Sequence, residues 1–191
     1  DIVQSSYPCT RIYEIGPSRH QKREGINTTT RVVRGPRGDL AVFKESGLEY
    51  EASVPEGQKT GFYFDQRDNR MLVEEFCLGA DVLDLHCYTG SFSMHAVRAG
   101  AKSVAAVDSS MKAVMTIERH LERNGMSGRV EVSCKDVQTY LGDAIGAGKS
   151  YDLIVNDPPN FAFTAKDKDG GRRAYRKLNA MVMRLVRPGM F

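Results

Sequence analysis

Acidic and polar residues follow four hydrophobic runs of this chain, in an order that suits the binding of a nucleoside. Ligands of open parallel sheets bind beyond the carboxyl ends of the strands. Residues predicted at such ends therefore meet at one edge of the sheet. The residues in question are Asp84, Asp108, Asp136 and the segment Asn156-Asp157-Pro158-Pro159.

Each of the first three carboxylates matches one part of a nucleoside methyl donor. Asp108 can accept hydrogen bonds from both ribose hydroxyls, and Asp136 with Val137 suits the amino group and ring of adenine. Asp84, with the backbone of the turn through Gly90, suits the ammonium and carboxylate of a methionine part. Gly90 lacks a side chain and lets the backbone approach a ligand closely. These residues predict a binding site for S-adenosylmethionine.

The segment Asn156–Pro159 is the most specific local motif in the sequence. Its two prolines fix the backbone and cannot continue a strand, so the polar groups before them are aimed in one direction. We predict that Asn156, Asp157, Pro158 and Pro159 grip a flat base beside the methyl donor and form the catalytic set. Residues 162–171 are predicted to be a lid or substrate loop. The structural alternatives are a rigid turn for the prolines and a helix cap for any single acid.

Other kinds of site lack support in the sequence. A dinucleotide site requires G-x-G-x-x-G after the first strand, and only Gly90 is present there. The four histidines form no catalytic triad or metal-binding pattern, so we predict no metal. The four cysteines are scattered, which is typical of reduced structural thiols. The histidines are His20, His86, His95 and His120, and the cysteines are Cys9, Cys77, Cys87 and Cys134.

Strands and helices are predicted to alternate from Asp81 onward. Such alternation with short links is typical of a parallel sheet with helices on both faces. The predicted strands are Asp81–Leu85, Ser103–Val107, Val130–Cys134 and Tyr151–Asn156. The predicted helices are Ser91–Ala99, Met111–Asn124, Val137–Ile145 and Tyr175–Val186.

The first part of the chain has a different pattern. Residues 1–30 are predicted to be irregular, and three strand-like runs at Thr30–Val33, Leu40–Lys44 and Leu48–Val54 predict a small antiparallel sheet or hairpin. A helix is expected over Asp68–Leu78. We therefore divide the chain into a small β-rich segment, 1–56, and an α/β domain, 57–191. Since the last five residues read as a helix stop and the start of a strand, we expect a domain truncated at its carboxyl end.

Composition narrows the class of protein and of partner. The chain has 191 residues, 41% hydrophobic and 27% charged, as in ordinary globular proteins. No run of about 18 apolar residues and no signal pattern occurs, so we predict a cytoplasmic protein without a membrane partner. The basic segment Lys166–Arg187 would attract a polyanion such as RNA, although a solvated helix is the simpler alternative. The sequence makes no prediction of oligomeric state.

Three strings resemble the large-subunit ribosomal RNA (cytosine-5) methyltransferase I family over about Thr30–Phe191. They are GQKTGFYFDQRDNR at Gly57–Arg70, DLHCYTGSF at Asp84–Phe92 and NDPPNF at Asn156–Phe161. The methyltransferase K domain, which acts on guanine nitrogen 7, is a near relative of that family. The resemblance implies a Rossmann-like class I methyltransferase domain preceded by a small, mostly β segment, with S-adenosylmethionine as cofactor and ribosomal RNA as substrate.

The resemblance also implies roles for individual residues. Phe64, Gln66 and Arg67 would border the cofactor pocket, and Tyr88 would join Asp84 and Gly90 in its glycine loop. The implied roles of Asp108, Asp136 and the Asp157 segment agree with those argued above. Family members also have an RNA-binding PUA domain, and the cytosine-5 enzymes use a nucleophilic cysteine on a strand expected after Phe191. Neither has a counterpart in this sequence, so the target atom stays open.

Three alternatives stay open. A methyltransferase acting on an amino group of nucleic acid or protein usually has an aromatic residue directly after the two prolines, whereas here Asn160 precedes Phe161. A non-catalytic RNA-binding module would keep the same fold. A small-molecule methyltransferase is disfavoured by the basic segment near the carboxyl end.

Overall fold

A computed structural model describes residues 11–14, 31–35, 38, 40–53, 61–161 and 168–190. These residues form two units. One contains the described residues up to Phe43 together with those of Tyr50–Phe64, and the other contains Lys44–Glu49 and the described residues from Asp65 onward. The predicted domain boundary at 56/57 lies outside the described residues and stays a prediction.

The part of the chain before residue 54 contains short strand pairings. Strand β1 (Ile12–Glu14) pairs with β2 (Arg31–Arg34) in an antiparallel sheet. The prediction that residues 1–30 are irregular is therefore wrong for Ile12–Glu14. This strand has only three residues and is separated in sequence from its partner, so no local pattern marks it. Strands β3 (Leu40–Glu45) and β4 (Leu48–Ser53) form a second, separate two-stranded sheet. The second and third predicted runs thus form the predicted hairpin, whereas the first run pairs with β1 instead.

Aromatic rings form the centre of the first unit. The ring of Phe62 lies 4.9 Å from that of Phe43, 4.8 Å from Tyr50 and 5.1 Å from Phe64, measured between centroids. Tyr50 is fully buried, whereas Phe64 remains 54% exposed. Phe64 is thus part of this aromatic cluster, and its predicted place beside a cofactor stays a prediction.

A four-stranded parallel sheet with flanking helices forms the second unit, as the sequence predicts. The order of its strands is β7-β6-β5-β8, and every neighbouring pair is parallel. The strands are β5 (Asp81–Leu85), β6 (Ser103–Asp108), β7 (Glu131–Cys134) and β8 (Leu153–Asn156). The helices are α1 (Arg67–Glu74), α2 (Ser91–Arg98), α3 (Met111–Arg123), α4 (Val137–Gly146) and α5 (Lys168–Met183), and a 3₁₀ turn spans Phe64–Gln66. None of the described helices has the length and apolar character needed to cross a membrane.

Two helices differ from their predictions by several residues at one end, and the last strand begins at Leu153 rather than Tyr151. Helix α1 ends at Glu74 rather than Leu78, and α5 begins at Lys168 rather than Tyr175. The pair Gly170-Gly171 reads as a helix breaker in the sequence, but Gly171 is buried inside the helix. Of the predicted lid at 162–171, residues 168–171 are therefore the first turn of α5, and 162–167 lie outside the described residues.

The hydrophobic core lies between the sheet and two of its helices. Leu83, Leu85 and Val107 of the central strands pack with Leu141 of α4 and Leu178 of α5, and each of the five is at most 1% exposed. Strands buried on both faces account for the nearly continuous apolar runs in the sequence. The core thus fixes β5 and β6, whose carboxyl ends support the candidate site.

Candidate functional site

The carboxyl ends of the parallel strands bring the predicted residues to one edge of the sheet. Leu85 pairs with Val107 on one side and with Asn156 on the other, and Asp108 pairs with Cys134. The segments that follow these strands are therefore neighbours at this edge. The ligand contacts predicted for them stay predictions.

The loop after β5 is held in an unusual backbone conformation. His86, Tyr88 and Gly90 have positive φ angles of 56°, 48° and 75°, which is uncommon for residues other than glycine. The backbone N–H of Tyr88 donates to Asp108 Oδ2 at 2.9 Å. His120 Nδ1 donates to the carbonyl of Thr89 at 2.9 Å. Contacts from β6 and α3 thus stabilise a loop conformation that is costly by itself.

Gly90 is required here for packing as well as for its backbone conformation. A Cβ atom at Gly90 would lie 2.9 Å from Ile117 Cγ1 of α3. Gly125 provides a matched control, because its φ is 65° and an added Cβ would find nothing within 4 Å. We expect Gly90→Ala to lower the free energy of unfolding by about 1–3 kcal/mol more than Gly125→Ala does, as overpacking adds to backbone strain. Urea denaturation of both variants measures the difference, and equal losses would contradict the packing role.

Asp84 is a buried carboxyl beneath this loop. It is 1% exposed, and its Oδ2 accepts hydrogen bonds from the backbone N–H of Ser93 at 3.0 Å and from Ser93 Oγ at 2.7 Å. Burial raises the pKa of Asp84 to about 7, and the nearby charges of Asp108 and Asp157 contribute to the rise. A buried carboxylate without a paired cation among the described residues is a suitable partner for an ammonium group.

Asparagine at Asp84 is expected to change how stability depends on pH. The raised pKa means that Asp84 stabilises the fold most below about pH 4, and that this contribution is lost as pH rises through 7. Asparagine can still accept from Ser93 and carries no charge to bury. We therefore expect the melting temperature of Asp84→Asn to increase relative to that of the wild type as the pH rises from about 5 to about 8. Thermal melts across this range measure the gap, and a gap that does not change with pH would contradict the buried charge.

Asp108 and Asp136 are both bonded to backbone N–H groups at the starts of helices. Asp108 Oδ1 accepts from the N–H of Ser110 at 2.8 Å. Asp136 caps α4, since its Oδ1 accepts from the N–H of Thr139 at 2.9 Å, and this hydrogen bond lowers the pKa of Asp136. Both carboxylates remain at least partly exposed and keep further lone pairs for a ligand. Val137 is 3% exposed and packs in the core, and its predicted contact with adenine stays a prediction.

Gln66 is joined to the predicted catalytic segment. Its Nε2 donates to Asp157 Oδ2 at 3.1 Å, and its Oε1 accepts from Asn69 at 2.7 Å. Arg67 is exposed and lies 3.7 Å from the carboxylate of Asp68. Gln66 is thus bonded to a residue at the carboxyl edge of the sheet. Arg67 has no hydrogen bond or ion pair with a described residue at that edge.

Helix α5 supplies two residues of the site that the sequence analysis missed. Asn156 Nδ2 donates to Asn179 Oδ1 at 3.0 Å, and the Tyr175 hydroxyl donates to the carbonyl of Pro159 at 3.3 Å. The ring of Tyr175 also lies 4.7 Å from that of Phe161. The bonded pairs are 23 and 16 positions apart along the chain, so no local motif could join them. They fix the backbone and the amide of the predicted base-binding segment.

His86 was also missed, although it lies in the centre of the edge. Its Nε2 is buried without a hydrogen-bond partner among the described residues. Burial lowers the pKa of His86, against the opposing effect of Asp108, Asp136 and Asp157. A neutral imidazole nitrogen can donate or accept a hydrogen bond.

Two buried polar atoms at this edge are therefore unsatisfied, His86 Nε2 and Asn156 Oδ1. Such atoms are rare in native proteins unless water, an ion or a ligand satisfies them. Together with the carboxylates of Asp84 and Asp108, they make a set of donors and acceptors that fits a polar nucleoside rather than an apolar molecule.

Two other kinds of site, a nucleophilic thiol and a metal centre, lack suitable groups among the described residues. Cys87 lies in the loop after β5, and burial raises its pKa, as it raises that of Cys77 to about 11. A thiol that stays protonated is a poor nucleophile. No group of three histidine, cysteine or acidic side chains placed to hold a metal ion occurs among the described residues.

Comparisons with known proteins agree with this architecture. The chain matches the profile of the S-adenosylmethionine-dependent methyltransferase family over residues 20–190. It is 36% identical over 190 residues to ribosomal RNA large subunit methyltransferase I of Shewanella amazonensis, covering 98% of this chain and 48% of that protein. The chain thus spans about half the length of the curated relatives that it matches.

Solved structures show the same fold. A crystal structure described as a methyltransferase complexed with S-adenosylhomocysteine (SAH) superposes with a TM-score of 0.80 at 25% identity, over 98% of this chain and 48% of that one. The complex of aTrm5 with tRNALeu gives a TM-score of 0.65 at 16% identity, over 99% of this chain and 49% of that one. The second likeness concerns the fold alone. The predicted Rossmann-like fold class is confirmed.

Proposed function

This chain belongs to the S-adenosylmethionine-dependent methyltransferase family, and from that premise we propose that it methylates a base of RNA, with ribosomal RNA as the substrate. The observation that carries the proposal is the convergence of Asp84, Asp108, Asp136 and the Asn156 segment at the carboxyl edge of one parallel sheet. The choice of ribosomal RNA rests on the name of the relative from Shewanella amazonensis. A cytoplasmic location is part of the same proposal.

The residues at the edge divide into two groups by the part of the reaction that they would serve. In the first group, Asp108 accepts hydrogen bonds from the ribose hydroxyls of the cofactor, and Asp136 accepts one from the amino group of adenine. Asp84 attracts the ammonium of the methionine part. S-adenosylmethionine supplies an electrophilic methyl group, and transfer of that methyl group converts the cofactor to SAH.

The second group would hold the base. Asn156 Oδ1, buried and unsatisfied, accepts a hydrogen bond from the edge of the base. Asn179 and Tyr175 hold Asn156 and the proline segment in place. Positioning of the two reactants side by side supplies much of the rate enhancement in such transfers. A base that is paired in a duplex must first be flipped out.

Transfer of a labelled methyl group tests this proposal. The chain is incubated with S-adenosylmethionine carrying a tritiated methyl group and, separately, with ribosomal RNA, transfer RNA, protein and free nucleosides. Label in ribosomal RNA, abolished in Asn156→Ala, is the expected result. Label only in protein would favour a methyltransferase that acts on an amino group of protein, and label only in free nucleosides would favour a small-molecule methyltransferase. Cofactor and RNA binding without transfer to any acceptor would favour a non-catalytic RNA-binding module.

A further inference from the structure

Helix α5 and the turn after it carry a group of exposed cations that make no ion pair with a described acid. Between residues 170 and 190 the sequence has six basic residues and no aspartate or glutamate. Arg187 pairs with Asp81 and Asp152 at 2.8 and 2.5 Å. The other five are exposed and make no ion pair with a described residue. They are Arg172, Arg173, Arg176, Lys177 and Arg184.

Helix α5 has one acid, Asp169 in its first turn, against five basic residues, and this balance differs from that of an ordinary solvated helix. The exposed residues of α3 include Glu118 and Glu122 beside its basic side chains, and such mixed signs are typical of solvated helices. The five cations without an ion pair to a described residue exceed the chain's entire formal net charge of +3. An unopposed positive surface of this kind attracts polyanions.

Two of these arginines are neighbours, on the helix surface, of residues that contact the site. Residues three and four positions apart are neighbours on a helix surface. Arg172 is three positions before Tyr175, which donates to Pro159, and Arg176 is three positions before Asn179, which holds Asn156. Both arginines thus border the side of α5 that contacts the base-binding segment. Arg173 and Lys177 are on the same helix but are not three or four positions from Tyr175 or Asn179.

We propose that Arg172 and Arg176 bind the backbone phosphates of the RNA strand that enters the site. This inference rests on the proposed function and adds the surface on which the substrate lies. The two residues are one helical turn apart, about 6 Å along the axis. Their planar guanidinium groups can each make two parallel hydrogen bonds to one phosphate. They orient the strand, while Asn156 contacts the base.

The salt dependence of RNA binding distinguishes these two arginines from the rest of the helix. The probe is a fluorescent single-stranded RNA of about a dozen nucleotides, bound by the chain in the presence of SAH. The slope of log affinity against log salt falls by about 0.7 for each phosphate of a single strand that the protein no longer neutralises. We expect Arg172→Gln/Arg176→Gln to reduce the slope by about 1.4 and the affinity by about tenfold or more at roughly 0.1 M salt.

The matched control is Arg173→Gln/Lys177→Gln, which removes the same charge from the same helix at the same four-residue spacing. It is expected to change the slope by less than about 0.4, since these side chains meet no phosphate. SAH titration and circular dichroism show that each variant is folded. Equal effects of both pairs, or no effect of either, would overturn the inference while leaving the proposed function in place. Absence of RNA binding by the wild-type chain would overturn both.

Discussion

Alanine at Asp108 is expected to weaken the binding of SAH by about 100-fold or more. The carboxylate lies at the end of β6, is partly exposed, and is proposed to accept both ribose hydroxyls. Hydrogen bonds to a charged group contribute about 1.5–3 kcal/mol each, and about 1.4 kcal/mol corresponds to a factor of ten in affinity. Asp108 also accepts from the N–H groups of Tyr88 and Ser110, so its loss releases the loop after β5. Calorimetric titration measures the affinity.

Two further variants separate these causes. Asp108→Asn keeps one acceptor for the loop and is expected to bind SAH more tightly than Asp108→Ala, though still more weakly than the wild type. Glu122 is an exposed carboxylate near the far end of α3, and Glu122→Ala should leave the affinity unchanged. An affinity of Asp108→Ala within about threefold of the wild type, well under about 1 kcal/mol, would contradict the assignment of the ribose site.

Removal of one partner from the buried ion pair Arg70–Glu45 is expected to have the largest effect on stability. The Arg70 Nε and Nη2 atoms donate to Glu45 Oε1 at 2.9 and 2.6 Å. The two side chains are 1% and 6% exposed. Arg70→Met leaves the Glu45 carboxylate buried without this cation, which typically costs about 3–5 kcal/mol. Urea denaturation at neutral pH measures the loss.

The double variant Arg70→Met/Glu45→Leu tests whether the cost arises from the unpaired charge. Replacement of a whole buried pair by apolar residues is often neutral, so the double variant should be more stable than Arg70→Met alone. The double-mutant cycle then gives a large coupling energy. Additive losses would show that the two side chains act independently and would contradict the expected coupling.

The sequence predicted the parallel sheet well because its signals are local. Strands β5, β6 and β8 contain apolar runs that end at or before a polar residue, and the intervening helices end near glycines. Strand β7 alternates polar and apolar residues instead. The carboxyl-edge residues followed from this order, since parallel strands end at the same edge. The roles of Asp84 and Asp108 could be proposed from their positions at the ends of the strands alone.

The features that the sequence did not predict depend on contacts between distant segments. Strand β1 is defined only by its pairing with β2. Asn179 becomes part of the site because it meets Asn156, 23 positions earlier. His86 is notable only because its Nε2 is buried near three carboxylates. Gly171 reads as a helix breaker until its burial within α5 is known.

Titration of SAH into this chain, followed by calorimetry, tests the central claim most directly. We predict saturable binding of one SAH per chain, no binding of a dinucleotide such as NAD, and binding of SAH by Asp108→Ala that is weaker by about 100-fold or more. A chain that circular dichroism shows to be folded, but that releases or absorbs no heat with SAH, would contradict the assignment of the cofactor site at the carboxyl edge of the sheet.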